Sequence, residues 1–330
     1  MIYKVKKETI RKSAKEFLRS NKIHYTSVIP LAADASFRKY YRVFENKNSY
    51  VLMDAPPKLE PIESFLKIAS WLKKNKLPSP EIYAKDIKNG YILLEDFGDK
   101  NISQFLHQKR NQEKKIYKES VDILIKISQK SPPSYAKEFS SIVLMEEINL
   151  FIEWYLKLAD VKLNKIAINE WIKLWENKFK EIKYEKRVLV LRDFHAENLM
   201  WHPKNHNTSN LGLLDFQDAL SGHQAYDLVS LLQDVRRNVS KAIEQEMKLY
   251  FLDSSDIKDK KKFLKAYNIL AAQRNIKILG IFSRLFLRDN KRKYLKLIPY
   301  TWSLVKSNIR NPELSDINIW FGKYIPDKRI

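Results

Sequence analysis

The chain contains no cysteine. That excludes disulfide bridges, thiolate metal sites and a cysteine nucleophile, and it fits a reducing compartment. Glycine is almost as scarce, with six in 330 residues. None stands in a GxxxxGK[ST] phosphate loop, which excludes a P-loop ATPase, and no strained GxSxG turn supports Ser-His-Asp hydrolysis. No segment stays apolar long enough to cross a bilayer, and the opening MIYKVKKETIRKSAKEF lacks an apolar region of signal-peptide length. A soluble, cytoplasmic protein with no membrane partner is expected. Acidic residues are the minority charge, 39 against 61 lysines and arginines, for a formal net charge of +22. Half of the excess falls in residues 241–330, which hold 20 basic and 9 acidic side chains. No nucleic-acid-binding module accompanies either half, so a solvated basic surface is the simpler reading. Such a surface also attracts small anions.

What is present is a globular composition, 44% hydrophobic, in a chain long enough to bury a sizeable core. Val5, Ile10, Ala14, Phe17 and Leu18 recur at helical spacing and predict an amphipathic helix over 5–20. Three strand-like runs follow, YTSVIPL, FRKYYRVF and SYVLMDA, with a turn at 46–48 between the last two. A helix is expected after Pro61, with Phe65, Leu66, Ile68, Ala69 and Leu72 on one face, until KLPSP stops it. Two further strands, EIYAKDI and YILLEDF, flank the turn Lys88-Asn89-Gly90. Residues 1–96 therefore read as a small strand-rich lobe, 97–330 as a larger and mainly helical one, and EDFGDKN (95–101) as the hinge between them.

Two apolar runs depart from the helical text. VLVL delivers the stretch LRDFHAENLMW, and LGLL delivers DFQDA. Carboxylates placed at strand ends before polar loops suit magnesium-assisted phosphoryl transfer, because Mg²⁺ takes one or two protein carboxylates, sometimes an amide oxygen, and then phosphate and water. Asn198 and Asp215 would supply such ligands, and Asp193 would accept the proton of an attacking hydroxyl. The D-x-x-x-x-N spacing sets base and metal ligand on one side of the phosphate. Taken alone, Asp193 and Asn198 read as a turn and a helix cap; the later Asp215 turns the balance toward chemistry. His202 and His206 are separated by loop residues, which disfavours zinc, and His195 is expected to pack within its loop. Asp227 reads as an acid tying that loop down. Trp154 and Trp171 fit core positions, whereas Trp201 is close enough in sequence to stack on a ring. Arg236 and Arg237 either meet a substrate carboxylate or sit solvated at a helix end.

Asp193…Asn198 followed by Asp215-Phe216-Gln217 resembles the catalytic and metal motifs of the aminoglycoside phosphotransferase and choline kinase relatives of protein kinases. ADASFRKYYRV resembles that family's phosphate loop, YVLMDAPP its third strand, YILLEDFGD its hinge, and HQAYDLVSLLQDVRR the helix that buttresses its site. The resemblance runs from about residue 25 to about 240, and is nearest to the bacterial anomeric kinases of N-acetylmuramate and N-acetylglucosamine in cell-wall recycling. It implies a bilobal α+β protein-kinase-like fold, with a small antiparallel-sheet lobe and a helical lobe. ATP and Mg²⁺ are the implied cofactors, with Asp193 as base and Asn198 and Asp215 on the metal. It further implies Ser36 and Arg38 over the phosphates, and the backbone at Leu94, Glu95 and Phe97 against adenine. Three departures stand out. Leu191 replaces a common histidine, Ala33 a common glycine, and Met53 the strand lysine that binds phosphate. Arg38, Lys39, Arg42 or backbone amides near Ser36 are the candidates to supply that missing charge. Around the acceptor the chain offers Gln217, Ser221, Gln224, Arg236 and Arg237, with Asp218 and Glu197 as acids. That balance favours a neutral or acidic sugar over a polycation. A monomer acting on ATP and a small sugar, without nucleic acid, is expected. The alternatives are a kinase of another small hydroxyl acceptor, such as an aminoglycoside or amino alcohol, and a non-catalytic nucleotide- or nucleic-acid-binding protein.

Overall fold

In the computed structural model the described residues are 10–31, 37–202 and 209–326. They contain strands β1 (Ser27–Pro30), β2 (Lys39–Glu45), β3 (Asn48–Asp54), β4 (Ile82–Asp86), β5 (Tyr91–Glu95), β6 (Val188–Val190), β7 (Leu199–Trp201), β8 (Leu211–Leu213) and β9 (Leu220–Gly222). The chain separates into two compact units, Met1–Phe105 with Asn198–Asp218, and Leu106–Glu197 with Ala219–Ile330. The division is discontinuous, whereas the sequence suggested one cut after residue 96. No helix among the described residues is long and apolar enough to cross a membrane.

The strand-rich unit is built on an antiparallel sheet in the order β1-β2-β3-β5-β4. All five expected strands form. The β2–β3 hairpin closes with Glu45 opposite Asn48, and Asn46 takes the left-handed backbone (φ 52°) that a two-residue turn needs. Alternation then sorts side chains by face. Tyr41 and Val43 of β2, Leu52 of β3, and Tyr91 and Leu93 of β5 pack on Ala14, Phe17 and Leu18 of helix α1 (Lys12–Ser20). Residues 5–9 of the expected 5–20 helix, Val5 among them, lie outside the described residues. Arg11, just ahead of α1, donates from Nε to the buried Asp54 carboxylate at 2.9 Å and so ties the helix to the end of β3. Tyr40 and Met53 are directly opposed on the other face. Helix α2 (Glu63–Lys74) buries Phe65, Ile68, Ala69 and Leu72, four of the five residues expected on its inner face.

In the same unit, β7 and β8 pair antiparallel with Leu199 opposite Leu213. Backbone bonds anchor this hairpin: Trp201 N donates to Lys100 O at 2.8 Å and Leu213 N to Pro78 O at 2.8 Å. These bonds explain why Asn198–Asp218 belongs with the strands and not with the helices that flank it in sequence.

The helical unit is organised around the helix Lys260–Leu287, whose side chains are buried on nearly all sides from Ala266 to Gly280. A helix covered all round must lie at the centre of its unit. It packs on Ser141–Leu150, Phe151–Tyr155, Ala225–Leu232 and Ile298–Ile309. Phe151, Tyr155, Trp171, Trp302, Trp320 and Phe321 form an aromatic cluster, with Phe151 and Trp171 stacked at 5.5 Å. Trp171 is thus a core residue, as its spacing indicated. The short strands β6 and β9 pair antiparallel, Val190 opposite Leu220. At Gly280 the long helix meets the backbone of Leu150; a Cβ there would fall well inside contact distance of the Leu150 carbonyl. Gly280→Ala should therefore destabilise the protein by about 1–3 kcal/mol through overpacking. Gly322→Ala, in a helix with nothing near, should instead be neutral or stabilising by about 0.5–1 kcal/mol. Urea unfolding of both variants checks the pair, and equal effects would contradict the close approach.

Candidate active site

In the helical unit, β6 is wholly buried and ends by presenting Leu191, Arg192 and Asp193. The backbone there is gripped by one carboxylate. Leu191 N donates to Asp227 Oδ2 at 2.6 Å and Arg192 N to Asp227 Oδ1 at 2.9 Å. Arg192 lies at φ 72°, a left-handed conformation that costs a non-glycine residue of order 1 kcal/mol and persists where surroundings impose it. Asp227 is the imposing group, in the structural role its position suggested. Burial pushes its carboxyl up to about 7, against the lowering effect of the two amide N–H groups.

A second carboxylate holds the far end. Asp234, buried, accepts from Ala196 N at 3.1 Å through Oδ2 and from Arg236 N at 2.8 Å through Oδ1. His195 N donates to Asp193 O at 3.1 Å. The His195 ring is buried, and burial reinforced by Arg236 drives it down to about 3, so it stays neutral. The Asp193 side chain is left exposed on a loop whose two ends are fixed. Arg236 pairs with Glu197, Nε to Oε2 at 3.2 Å, and Arg237 with Glu113 at 2.6 Å. Ser221 lies inside β9, and Gln224 is buried ahead of the Ala225–Leu232 helix.

In the strand-rich unit, the β7–β8 hairpin brings together the two expected metal ligands. Leu214 N donates to Asn198 O at 3.0 Å, and the Asn198 amide stands 3.5 Å from Asp215 Oδ2. Asp215 also adopts left-handed backbone, φ 57°, and its Oδ1 accepts from Gln217 Nε2 at 2.8 Å. Gln217 is buried and reaches Asp218 Oδ2 at 3.4 Å as well. It stands behind Asp215 as a brace. The Asn198 Nδ2 faces the carboxylate here; with the amide turned to present its oxygen, the pair is a donor set that suits Mg²⁺, which takes few protein ligands and fills its octahedron with water and phosphate.

Arg38, the first candidate for the missing cation, is buried and bridges to Glu60 Oε2 at 2.7 Å. It also bonds the Tyr40 phenol, which burial pushes up to about 12 and which lies within electrostatic reach of Asp215 and Glu60. Arg42 is occupied elsewhere: Nη2 donates to Gly98 O at 2.9 Å, Nε meets Asp96 at 2.6 Å, and Asp99 completes the set. Ser36 and Ala33 lie outside the described residues, as does His206. Leu94 and Glu95 belong to β5, and Glu95 N already donates to Glu81 O at 2.9 Å. The Glu95 carboxylate faces His202 at 3.5 Å. The Phe97 ring lies against Gly212 of β8, where a Cβ would overlap it. Trp201 stacks on Phe105 at 4.4 Å.

Sequence reasoning missed Asp234, Glu60 and Glu147, the last of which pairs with the Arg192 guanidinium. Asp234 carried one signal, its place seven residues after Asp227 in YDLVSLLQD.

Residues 27–256 match the model of the phosphotransferase enzyme family. The chain is 30% identical to an N-acetylmuramate/N-acetylglucosamine kinase of Caulobacter vibrioides, over 96% of this chain and 97% of that one. It is 31% identical to a protein of the same name from Pseudomonas aeruginosa, covering 88% of this chain and 86% of the relative. Among solved structures, spectinomycin phosphotransferase in complex with ADP and spectinomycin superposes with a TM-score of 0.64 at 16% identity, over 93% of this chain and all of that one.

The buried titratable groups set the acid response. His195 and His223 fall to about 3 and about 4 in the fold, both through burial, from about 6.5 unfolded. Their contribution is fully present above 6.5 and is lost as pH falls toward the folded values. Asp227 acts oppositely, present below its unfolded value and lost as pH rises through about 7. Between about pH 4 and 6.5 the three sum to one extra proton on the unfolded chain, or about 1.4 kcal/mol lost per unit of acidification. His223→Gln should lower the slope of unfolding free energy against pH by about one proton in that window. Urea titrations at stepped pH measure it, and identical slopes would contradict a buried neutral His223.

Proposed function

The chain belongs to the phosphotransferase enzyme family, whose members are ATP-using small-molecule kinases, and we propose that it phosphorylates the anomeric hydroxyl of an N-acetyl amino sugar. The observation that carries the acceptor is the likeness, over nearly the whole chain, to relatives named N-acetylmuramate/N-acetylglucosamine kinase. The fold-level likeness to antibiotic and amino-alcohol kinases says nothing about the acceptor. We place the reaction in the cytoplasm, in peptidoglycan recycling, and the enzyme acts as a monomer.

In this reading Asp193 accepts the proton of the attacking hydroxyl. Its exposure on a loop held by Asp227 and Asp234 suits a base that must meet substrate without shifting. Asn198 and Asp215 would hold Mg²⁺, with Gln217 steadying Asp215; the ion, when bound, neutralises charge on the phosphates. Arg38 supplies the cation that Met53 does not, kept in place by Glu60. We assign the adenine contact to the backbone at Leu94, Glu95 and Phe97; because Glu95 N already donates to Glu81 O, Glu95 would act through its carbonyl. Arg236, tied to Glu197, and Asp218 remain candidate contacts to the sugar.

A panel of acceptors assayed by ADP release, with product position fixed by phosphorus NMR, tests the proposal. N-acetylmuramate or N-acetylglucosamine should yield the 1-phosphate, kanamycin-like and choline-like cations little, and Asp193→Asn should lose roughly 10²–10⁴-fold in kcat with ATP affinity nearly kept. Turnover of a cationic acceptor with N-acetyl sugars inert would contradict the sugar assignment while leaving a kinase.

A further inference from the structure

The helix Lys260–Leu287 carries Gln273, Arg274, Asn275 and Lys277 close together, all buried. Packing alone would place apolar side chains at such positions. The Lys277 ammonium donates to Glu147 Oε1 at 2.9 Å and to the Tyr226 hydroxyl at 3.1 Å. Glu147, buried on the helix Ser141–Leu150, also accepts from Gln273 Nε2 at 3.2 Å and pairs with the Arg192 guanidinium. One buried anion is thus shared by two cations, and one of those cations is the residue that precedes Asp193. Replacing a buried ion cluster by apolar residues of similar volume is commonly neutral or stabilising, so stability gives little reason to keep this one.

We infer that Lys277 is a positioning residue for the catalytic base: through Glu147 it fixes the side chain of Arg192, the residue that precedes Asp193. This rests on the reading of Asp193 as base. The charged and titratable groups packed here are Arg192 and Asp193 from the loop, Glu147, Tyr226 and Asp227, and Arg274 with Lys277 from the long helix. Burial alone would discharge Lys277, but Glu147 outweighs it and the lysine is held above its ordinary value. Burial likewise pushes Glu147 up, and Lys277 and Arg192 bring it below its ordinary range. Burial raises the Tyr226 phenol, which stays neutral. Asp193 acts on both Lys277 and Arg192, whereas Asp227 feels Arg274 and Asp193. Arg274 itself donates to Ser230 Oγ at 2.7 Å.

The test is kcat together with the separate KM values for N-acetylglucosamine and ATP, measured on the full chain beside its urea unfolding. Lys277→Met removes the ammonium that holds Glu147. It should lower kcat roughly tenfold or more and leave the KM for ATP within about threefold, the split expected when a catalytic group is misplaced and nucleotide binding is kept. Lys277→Arg retains a cationic donor to Glu147 and should restore most of kcat. The double variant Lys277→Met with Glu147→Gln removes the buried lysine and the buried glutamate together, so it keeps the test available if Lys277→Met does not fold. Its kcat should fall as well, because Arg192 has lost its anchor. Wild-type kcat in a folded Lys277→Met, or in the double variant, overturns the inference. A wild-type rate retained in Asp193→Asn overturns the base assignment first, and this inference with it.

Discussion

Two backbone amides on one buried carboxylate are the constraint from which the rest of the loop carrying Asp193 follows. Asp227 takes the N–H groups of Leu191 and Arg192, and with both oxygens engaged it fixes the direction in which the chain leaves β6. Arg192 then has to accept a left-handed backbone. That conformation turns its side chain toward Glu147 and leaves Asp193 outward. Asp234 closes the loop at Ala196. Both carboxylates come from residues 225–237, so a single segment sets both ends. A buried carboxylate is costly to desolvate unless its oxygens are matched by donors. Here the matching donors belong to the loop, and neither side is satisfied without the other.

Charge is used differently inside and outside the molecule. The net +22 is mostly a solvated surface and says little about chemistry. The informative groups are among the buried ones: Asp227, Asp234, Glu147, Lys277, Arg274 and Arg38. Each is bonded to a named partner. On the strand side the same economy holds. Gln217 braces Asp215, and Glu60 braces Arg38, beside a strand whose own position, Met53, is apolar.

Much of this was legible in the sequence. Alternation in FRKYYRVF and SYVLMDA gave two strands and their hairpin, because period two on a half-buried sheet is a local property. Within the strand-rich unit Asn198 and Asp215 come together because β7 and β8 pair directly and carry both to adjacent ends. What stayed hidden depends on distant partners. Glu147 meets Arg192 across 45 residues and Lys277 across 130, and no periodicity encodes such pairs. Lys277 looked like one more lysine in a lysine-rich chain. Gln217, expected from its place in DFQDA as a contact for substrate, is buried and donates to Asp215, a bond that a short polar run does not announce. The stretch 198–218 was assigned to the helical lobe by position in the chain, whereas backbone bonds to Lys100 and Pro78 place it with the strands.

The most direct measurement of this account is the steady-state kinetics of Asp227→Asn beside its urea unfolding. An asparagine keeps the size of the side chain but sets an NH₂ donor against one of the two amide donors. The loop should lose its fixed exit while the fold persists. The account predicts a folded protein whose KM for ATP stays within about threefold and whose kcat falls roughly 10²-fold, the order that a misplacement of about 1 Å exacts. A folded Asp227→Asn with wild-type kcat would contradict it.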